Sequence, residues 1–156
     1  MSKNYWRIIF SAVLCLGLGS AGALFTAPEI QGWYQSLNKP SWNPPNWLFG
    51  PVWTLLYLLM GIAAGIIWNS NAAGKKSALH VFILQFILNS AWSFLFFNRH
   101  WIGVALIEIV LLFLLLLRTI FLFQKVNRTA AYLLLPYAAW VAFAACLNGA
   151  FYVLNH

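Results

Sequence analysis

The sequence predicts an all-α integral membrane protein: a bundle of five transmembrane helices, with an ordered loop rich in aromatic residues and proline between the first and second. Three observations predict it. Of 156 residues, 63% are hydrophobic and only 7% are charged, whereas soluble domains carry about 25% charged residues. Mean hydropathy is +0.79. Apolar runs recur along the chain at close to the ~20 residues that a helix needs to cross a bilayer, and they are too long for barrel strands of about 10 residues. Nothing soluble is left over, so a single membrane domain over 1–156 is expected.

The first helix is expected over about 7–25. Its Arg7 and apolar run resemble a signal peptide, but the chain leads straight into the aromatic loop, which favours a membrane helix. The loop is placed at 26–46. Further helices are expected over 47–68, 79–97, 101–123 and 129–154. The later connections are short, so neighbouring helices run antiparallel. Lys3, Arg7, Lys75, Lys76, Arg118, Lys125 and Arg128 fall on the side of the N-terminus, with only Lys39 and Arg99 opposite. This bias predicts a cytoplasmic N-terminus, with the loop and C-terminus on the outer side of a cell membrane.

Composition also excludes functions. The net charge of +7 is spread over several connections with no basic stripe, so it suits membrane lipid and not nucleic acid. Cys15 and Cys146 both fall in expected helices, read as small apolar fillers, and form no CxxC pair. His80, His100 and His156 have no carboxylate or cysteine at ligand spacing. No metal site, haem ligand or required cofactor is expected.

The stretch Trp33 to Trp53, WYQSLNKPSWNPPNWLFGPVW, holds four of the nine tryptophans and four of the six prolines. Indole rings offer large rigid surfaces, and proline restricts the conformations of the loop. Trp33, Lys39, Pro40, Trp42, Pro44, Pro45 and Trp47 are therefore expected to form a lid.

Helical spacing identifies what lies below it. Gln85, Asn89, Trp92 and Phe96 follow at +4, +3 and +4, within about 60° of one another around a helix. Trp140, Ala144 and Asn148 form a second stripe, and Trp53, Tyr57 and Met60 a third. Amides in a bilayer need partners, so these stripes should face the bundle interior, either as interhelical hydrogen bonds or as the walls of a pocket for a planar amphiphile. Glu108, the lone carboxylate in an expected span, reads as structural or snorkelling rather than as part of a proton relay. The spacings Gly17–Ala21, Gly19–Ala23 and Gly61–Gly65 read as close helix packing, with a homodimer face as the other reading.

The residues resemble a known family. WYQSLNKPSWNPPNWLFGPVWTLLYLLMG is similar to the first loop and second helix of the translocator protein family, which includes the tryptophan-rich sensory proteins of bacteria and the peripheral-type benzodiazepine receptor. QFILNSAWSFLFF and LLLPYAAWVAFAACLN agree with its third and fifth helices. The resemblance spans essentially the whole chain. It implies a five-helix bundle, commonly dimeric, that binds porphyrins such as protoporphyrin IX, sterol-like lipids and synthetic aromatic ligands under the first loop. The family's pocket positions match Tyr34, Trp53, Asn89, Trp92, Trp140, Ala144 and Asn148, to which Tyr57 of the third stripe is added from spacing.

The resemblance further implies light- and oxygen-dependent porphyrin breakdown, with Trp53 and Trp140 as the catalytic pair because indoles are readily oxidised. In that picture Tyr34, Asn89 and Asn148 orient the polar edge of the ligand. The alternative is a non-enzymatic tetrapyrrole or lipid transporter, or a stress sensor acting through partners. The chain departs from animal members in two places. LNGAFYVLNH lacks the basic residue of their sterol pattern, and Val104 stands where they carry tryptophan.

Overall fold

Five helical stretches of 24 to 27 residues, each apolar enough to cross a membrane, build the bundle. At about 1.5 Å per residue each measures roughly 36–40 Å. The computed structural model describes residues 4–156; Lys3, counted above among the basic residues, lies outside them.

The first span, Tyr5–Gln31, consists of α1 (Tyr5–Ala21) and α2 (Ala23–Gln31). Gly22 joins them in right-handed helical conformation, and Thr26 Oγ1 and N both donate to its carbonyl. The helix leaves its path only at Gly32, and a single turn, α3 (Trp33–Ser36), follows. The loop expected at 26–46 is therefore shorter. Pro28 reads as a breaker in sequence but lies inside α2. A helix in a bilayer tolerates proline because little else can satisfy the backbone. Residues 37–45 are the non-helical part, ending at Pro45, the N-cap of α4 (Asn46–Asn69).

The third span is α5 (Lys75–Ser93), continued by a π-helical turn over Phe94–Asn98. It begins four residues before the expected 79. His100 then turns the chain with φ 58°, the one positive φ outside glycine among the described residues. α6 (Ile102–Val126) follows. Asn127 caps α7 (Arg128–Leu133), its Oδ1 accepting from Ala130 N at 3.0 Å. Leu134 interrupts the last span before α8 (Leu135–Leu154), whose Pro136 occupies the first turn, where no amide donor is needed.

α1 and α4 pack most closely. The backbones of Ala12 and Ile8 lie directly against Gly61 and Gly65, with no room for a side chain at either glycine. Gly19 lies against the face of the Tyr57 ring. The small-residue spacing thus serves packing within the chain, whereas Gly17 has open space around it. The core beneath runs through Met60, Ala63, Ile67, Leu112, Leu116 and Val141. Ile9, Val13, Leu24, Ile87, Ile107 and Leu114 face outward, as a bilayer solvent permits. Cys15 is buried but Cys146 is exposed.

The two ends differ. At one, Arg7 donates to the Trp68 carbonyl at 3.3 Å, as does Lys75, and Asn69 reaches the Asn4 carbonyl. At the other, Asn38 and Asn155 exchange bonds of 2.9 and 3.0 Å, fastening the loop to the C-terminus of α8.

Replacing Gly65 with valine forces α1 from α4. We expect a loss of about 1–3 kcal/mol, read as a lowered unfolding temperature in detergent, while Gly17→Val changes it little. Equal melting of both variants would contradict this packing.

Candidate ligand cavity

Between the loop and the bundle core lies a cavity of about 430 Å³, within the size range of sites for small organic ligands. Its walls come from α1, α2 and α3, the first half of α4, the end of α5 with its π-helical turn, and α8 from Trp140 onward.

Trp53 and Trp140 form its central corner. Their ring centroids are 6.5 Å apart with planes at 90°. Trp53 stacks on Tyr57 one turn further along α4, at 5.5 Å and 28°. Trp140 is held between Phe49 and Phe143 at 6.0 and 5.4 Å. Among the described residues neither indole N–H has a protein acceptor, so both are free to donate to a ligand.

Trp92 supplies a second wall and is fixed differently. Its Nε1 donates to Asn148 Oδ1 at 3.0 Å, and Asn148 Nδ2 donates to the Ile102 carbonyl at 3.0 Å. Its ring stacks on Phe96 at 5.1 Å. Asn148 reaches the lining, but this geometry uses its amide to hold Trp92. Asn89 lies behind the wall and does not line the cavity. Tyr57 Oη donates to Asn89 Oδ1 at 3.0 Å, Asn89 Nδ2 donates to Tyr137 Oη at 2.8 Å, and Tyr137 Oη donates to Gln85 Oε1 at 2.9 Å.

Tyr34 contributes only its ring. Its hydroxyl donates to Asn43 Oδ1 at 2.9 Å, and the ring is wedged near Phe97 and Phe151. Burial pushes the Tyr34 phenol above its ordinary value near 10, partly opposed by the bond with Asn43. The polar atoms of Tyr34, Asn89 and Asn148, expected to orient a ligand, are thus all bonded within the protein, and Asn89 stands outside the lining. In a bilayer the bundle consumes those atoms first, because an unpaired buried amide or phenol is costly.

The expected lid residues divide. Trp47, 72% exposed, lines the cavity mouth. Trp33 faces away and stacks on His100 at 4.1 Å and 12°. His100 Nε2 in turn meets Glu29 Oε2 at 3.0 Å, joining the turn before α6 to α2. Trp42 packs its edge on Phe143 at 5.7 Å. Lys39 reaches the carbonyls of Gln35 and Leu37 and lies over the Tyr34 ring. The Pro40 carbonyl accepts from Asn43 N, closing a turn, while Pro44 and Pro45 carry the chain into α4. Trp33, Lys39 and Trp42 are therefore props of the loop, not lining residues.

Sequence reasoning missed the wall made by Gly19, Ala23, Thr26 and Ile30, which line the cavity from the first span. The +4 spacing of Gly19, Ala23 and Ala27 was the available signal. Ala144 and Tyr57 do line it, and Val104 points outward at 49% exposure. Glu108 is buried on the inner stripe of α6 and does not snorkel; among the described residues neither carboxyl oxygen has a hydrogen-bond partner.

The model of the TspO/MBR family matches residues 11–154. The chain belongs to the TspO/MBR family. It is 40% identical to the tryptophan-rich protein TspO of Archaeoglobus fulgidus, over 97% of this chain and 99% of the relative. It is 37% identical to the human translocator protein, over 97% and 92%, and 34% identical to protein CrtK of Rhodobacter capsulatus, over 99% and 95%. This TspO/MBR chain is thus related to its family along nearly its whole length, spanning every element that lines the cavity.

Two outcomes follow from the geometry. Asn148→Leu strands the Trp92 N–H and removes a second bond to the Ile102 carbonyl, and should cost about 1–3 kcal/mol in thermal unfolding. Because folding raises the phenol's affinity for its proton, the Tyr34 contribution is complete below pH 10 and lost as pH rises above it. Tyr34→Phe should therefore flatten part of the alkaline fall in melting temperature.

Proposed function

We propose that this chain binds a flat, amphiphilic tetrapyrrole such as protoporphyrin IX in the cavity, and that light with dioxygen breaks the bound ring open. The carrying observation is the corner of Trp53 and Trp140, two indole planes at right angles with unspent N–H donors. One plane can stack on a macrocycle while the other meets its edge. The remaining lining is largely apolar, from Ile30, Phe49, Phe96, Leu147 and Phe151, which suits the body of such a ring.

For turnover, dioxygen is the oxidant and both its atoms enter the opened tetrapyrrole. An indole in contact gives one electron to the photoexcited ring and regains it once dioxygen has added, so Trp53 and Trp140 are regenerated. The TspO/MBR pocket then acts by holding the ring against these donors.

A second reading is binding without chemistry, in a carrier or sensor. It is favoured by the exposure of Ser20, Ala23, Gly50 and Thr54, which line the cavity on the side between the first span and α4. A hydrophobic ligand could pass there directly from lipid. The gathering of Arg7, Lys75, Lys76, Lys125 and Arg128 at one end of the bundle supports a cytoplasmic N-terminus for a chain placed in a cell membrane.

A titration of the purified protein with protoporphyrin IX, in darkness and then in light, tests both readings. Binding should quench tryptophan fluorescence, and Trp53→Phe with Trp140→Phe should weaken it roughly tenfold, a change of about 1.4 kcal/mol. Absence of quenching overturns the binding site. A bilin-like absorbance that grows in light and slows in the double variant supports turnover, whereas dark-stable binding with no such product leaves the carrier or sensor.

A further inference from the structure

Nine lysines and arginines stand against two acidic residues. Glu29 is engaged by His100 at the loop end, and Glu108 is buried on the inner face of α6. Among the described residues, no carboxylate meets the cations at the opposite end of the bundle.

Two of those cations share a built feature. Arg118 and Lys125 are seven residues apart on α6, so they project within about 20° of each other. Both pack around the Phe121 ring, with Arg118 Cζ at 5.5 Å and Lys125 Nζ at 4.4 Å from its centroid. Beside them an open groove of about 560 Å³ lies over the seam between α6 and the start of α5. The Ala72–Gly74 turn, Ser77 and Val81 form one side, and Arg118, Leu122 and Lys125 the other. α5 begins there with no side-chain cap and no acidic residue in its first turn.

Arg118 lies eight residues before the end of the span at Val126, about 12 Å along the helix axis. A guanidinium at that position, with no carboxylate to meet it, requires a counter-anion or must snorkel out. A hydrated inorganic anion would have to shed water to reach it. The phosphate of a phospholipid arrives at the right level with chains that fit beside Val81, Leu122 and Phe121. Lys76, exposed in the first turn of α5, adds positive charge at this end, which disfavours a quaternary ammonium headgroup and favours an anionic one.

We infer that the cleft between α5 and α6 is a binding site for an anionic phospholipid, its phosphate held between Arg118 and Lys125 and its acyl chains along Val81, Leu122 and Phe121. Tight annular lipid at this position would join α6 to the turn before α5, at the end of the bundle away from the ligand cavity. The inference is independent of what the cavity binds.

The full chain, stripped of lipid in neutral detergent, can be titrated with phosphatidylglycerol, phosphatidylcholine or inorganic phosphate and read by native mass spectrometry and thermal unfolding. Phosphatidylglycerol should bind roughly tenfold more tightly than phosphatidylcholine and raise the melting temperature. Arg118→Gln with Lys125→Gln should abolish that preference, while Lys39→Gln at the other end keeps it. Lys125→Glu, at the water-facing mouth where charge is tolerated, should weaken it alone. Equal binding of the two lipids, or a preference that survives in Lys125→Glu and the double variant, overturns the site. Displacement of phosphatidylglycerol by inorganic phosphate assigns the cleft to a free anion and overturns the lipid reading.

Discussion

Tyr57, Asn89, Tyr137 and Gln85 form one chain of hydrogen bonds through the middle of the bundle, joining α4, α5 and α8. In hydrocarbon a phenol or amide that loses its protein partner finds no water to replace it. Each of these three helices is therefore held at one rotation about its axis, since a turn by a single residue, about 100°, would strand several polar atoms together. The setting propagates. Tyr57 presents its ring to Gly19 of α1 on one side and stacks under Trp53 on the other. Trp53 in turn meets Trp140 at a right angle. The cavity has its shape because its back wall is tied down by bonds that the cavity itself does not share.

The loop end rests on a different balance. Its apolar floor is Tyr34, Phe96, Phe97, Leu147 and Phe151, and short polar ties hold the chain over it. Tyr34 bonds Asn43, Asn38 bonds Asn155, and Glu29 meets His100 beneath the Trp33 ring. Phe96 and Phe97 in the π-helical turn that follows α5 are both buried against this floor. His100 then adopts a left-handed conformation, held by its stack and its carboxylate partner. The prolines limit the loop's freedom, but it is these contacts that fix where it lies.

Much of this was legible in the residues. The spans followed from length and hydropathy, and the three stripes did point inward, because a bilayer sorts helix faces by polarity as firmly as water does, with the sign reversed. What could not be read was how polar atoms on one inward face would be spent. Asn89 and Trp92 are three residues apart on one stripe, yet Asn89 is consumed by Tyr57 and Tyr137 while Trp92 reaches the cavity. That division depends on which side chains arrive from α4 and α8. Pro28 likewise lies within a helix that ends only at Gly32.

By itself the sequence determined a five-span α-helical membrane chain, the end of the bundle at which its charges gather, and the aromatic residues available to build a pocket. These depend on composition and on the period of one helix, quantities local to the chain. Tertiary structure alone decided that Trp53 and Trp140 meet at a corner, that the amides of Asn89 and Asn148 find partners within the protein, and that Arg118 and Lys125 share a cleft with α5. Those are relations between helices far apart in sequence, set by how closely glycine lets backbones approach and by which polar groups must find one another where water is absent.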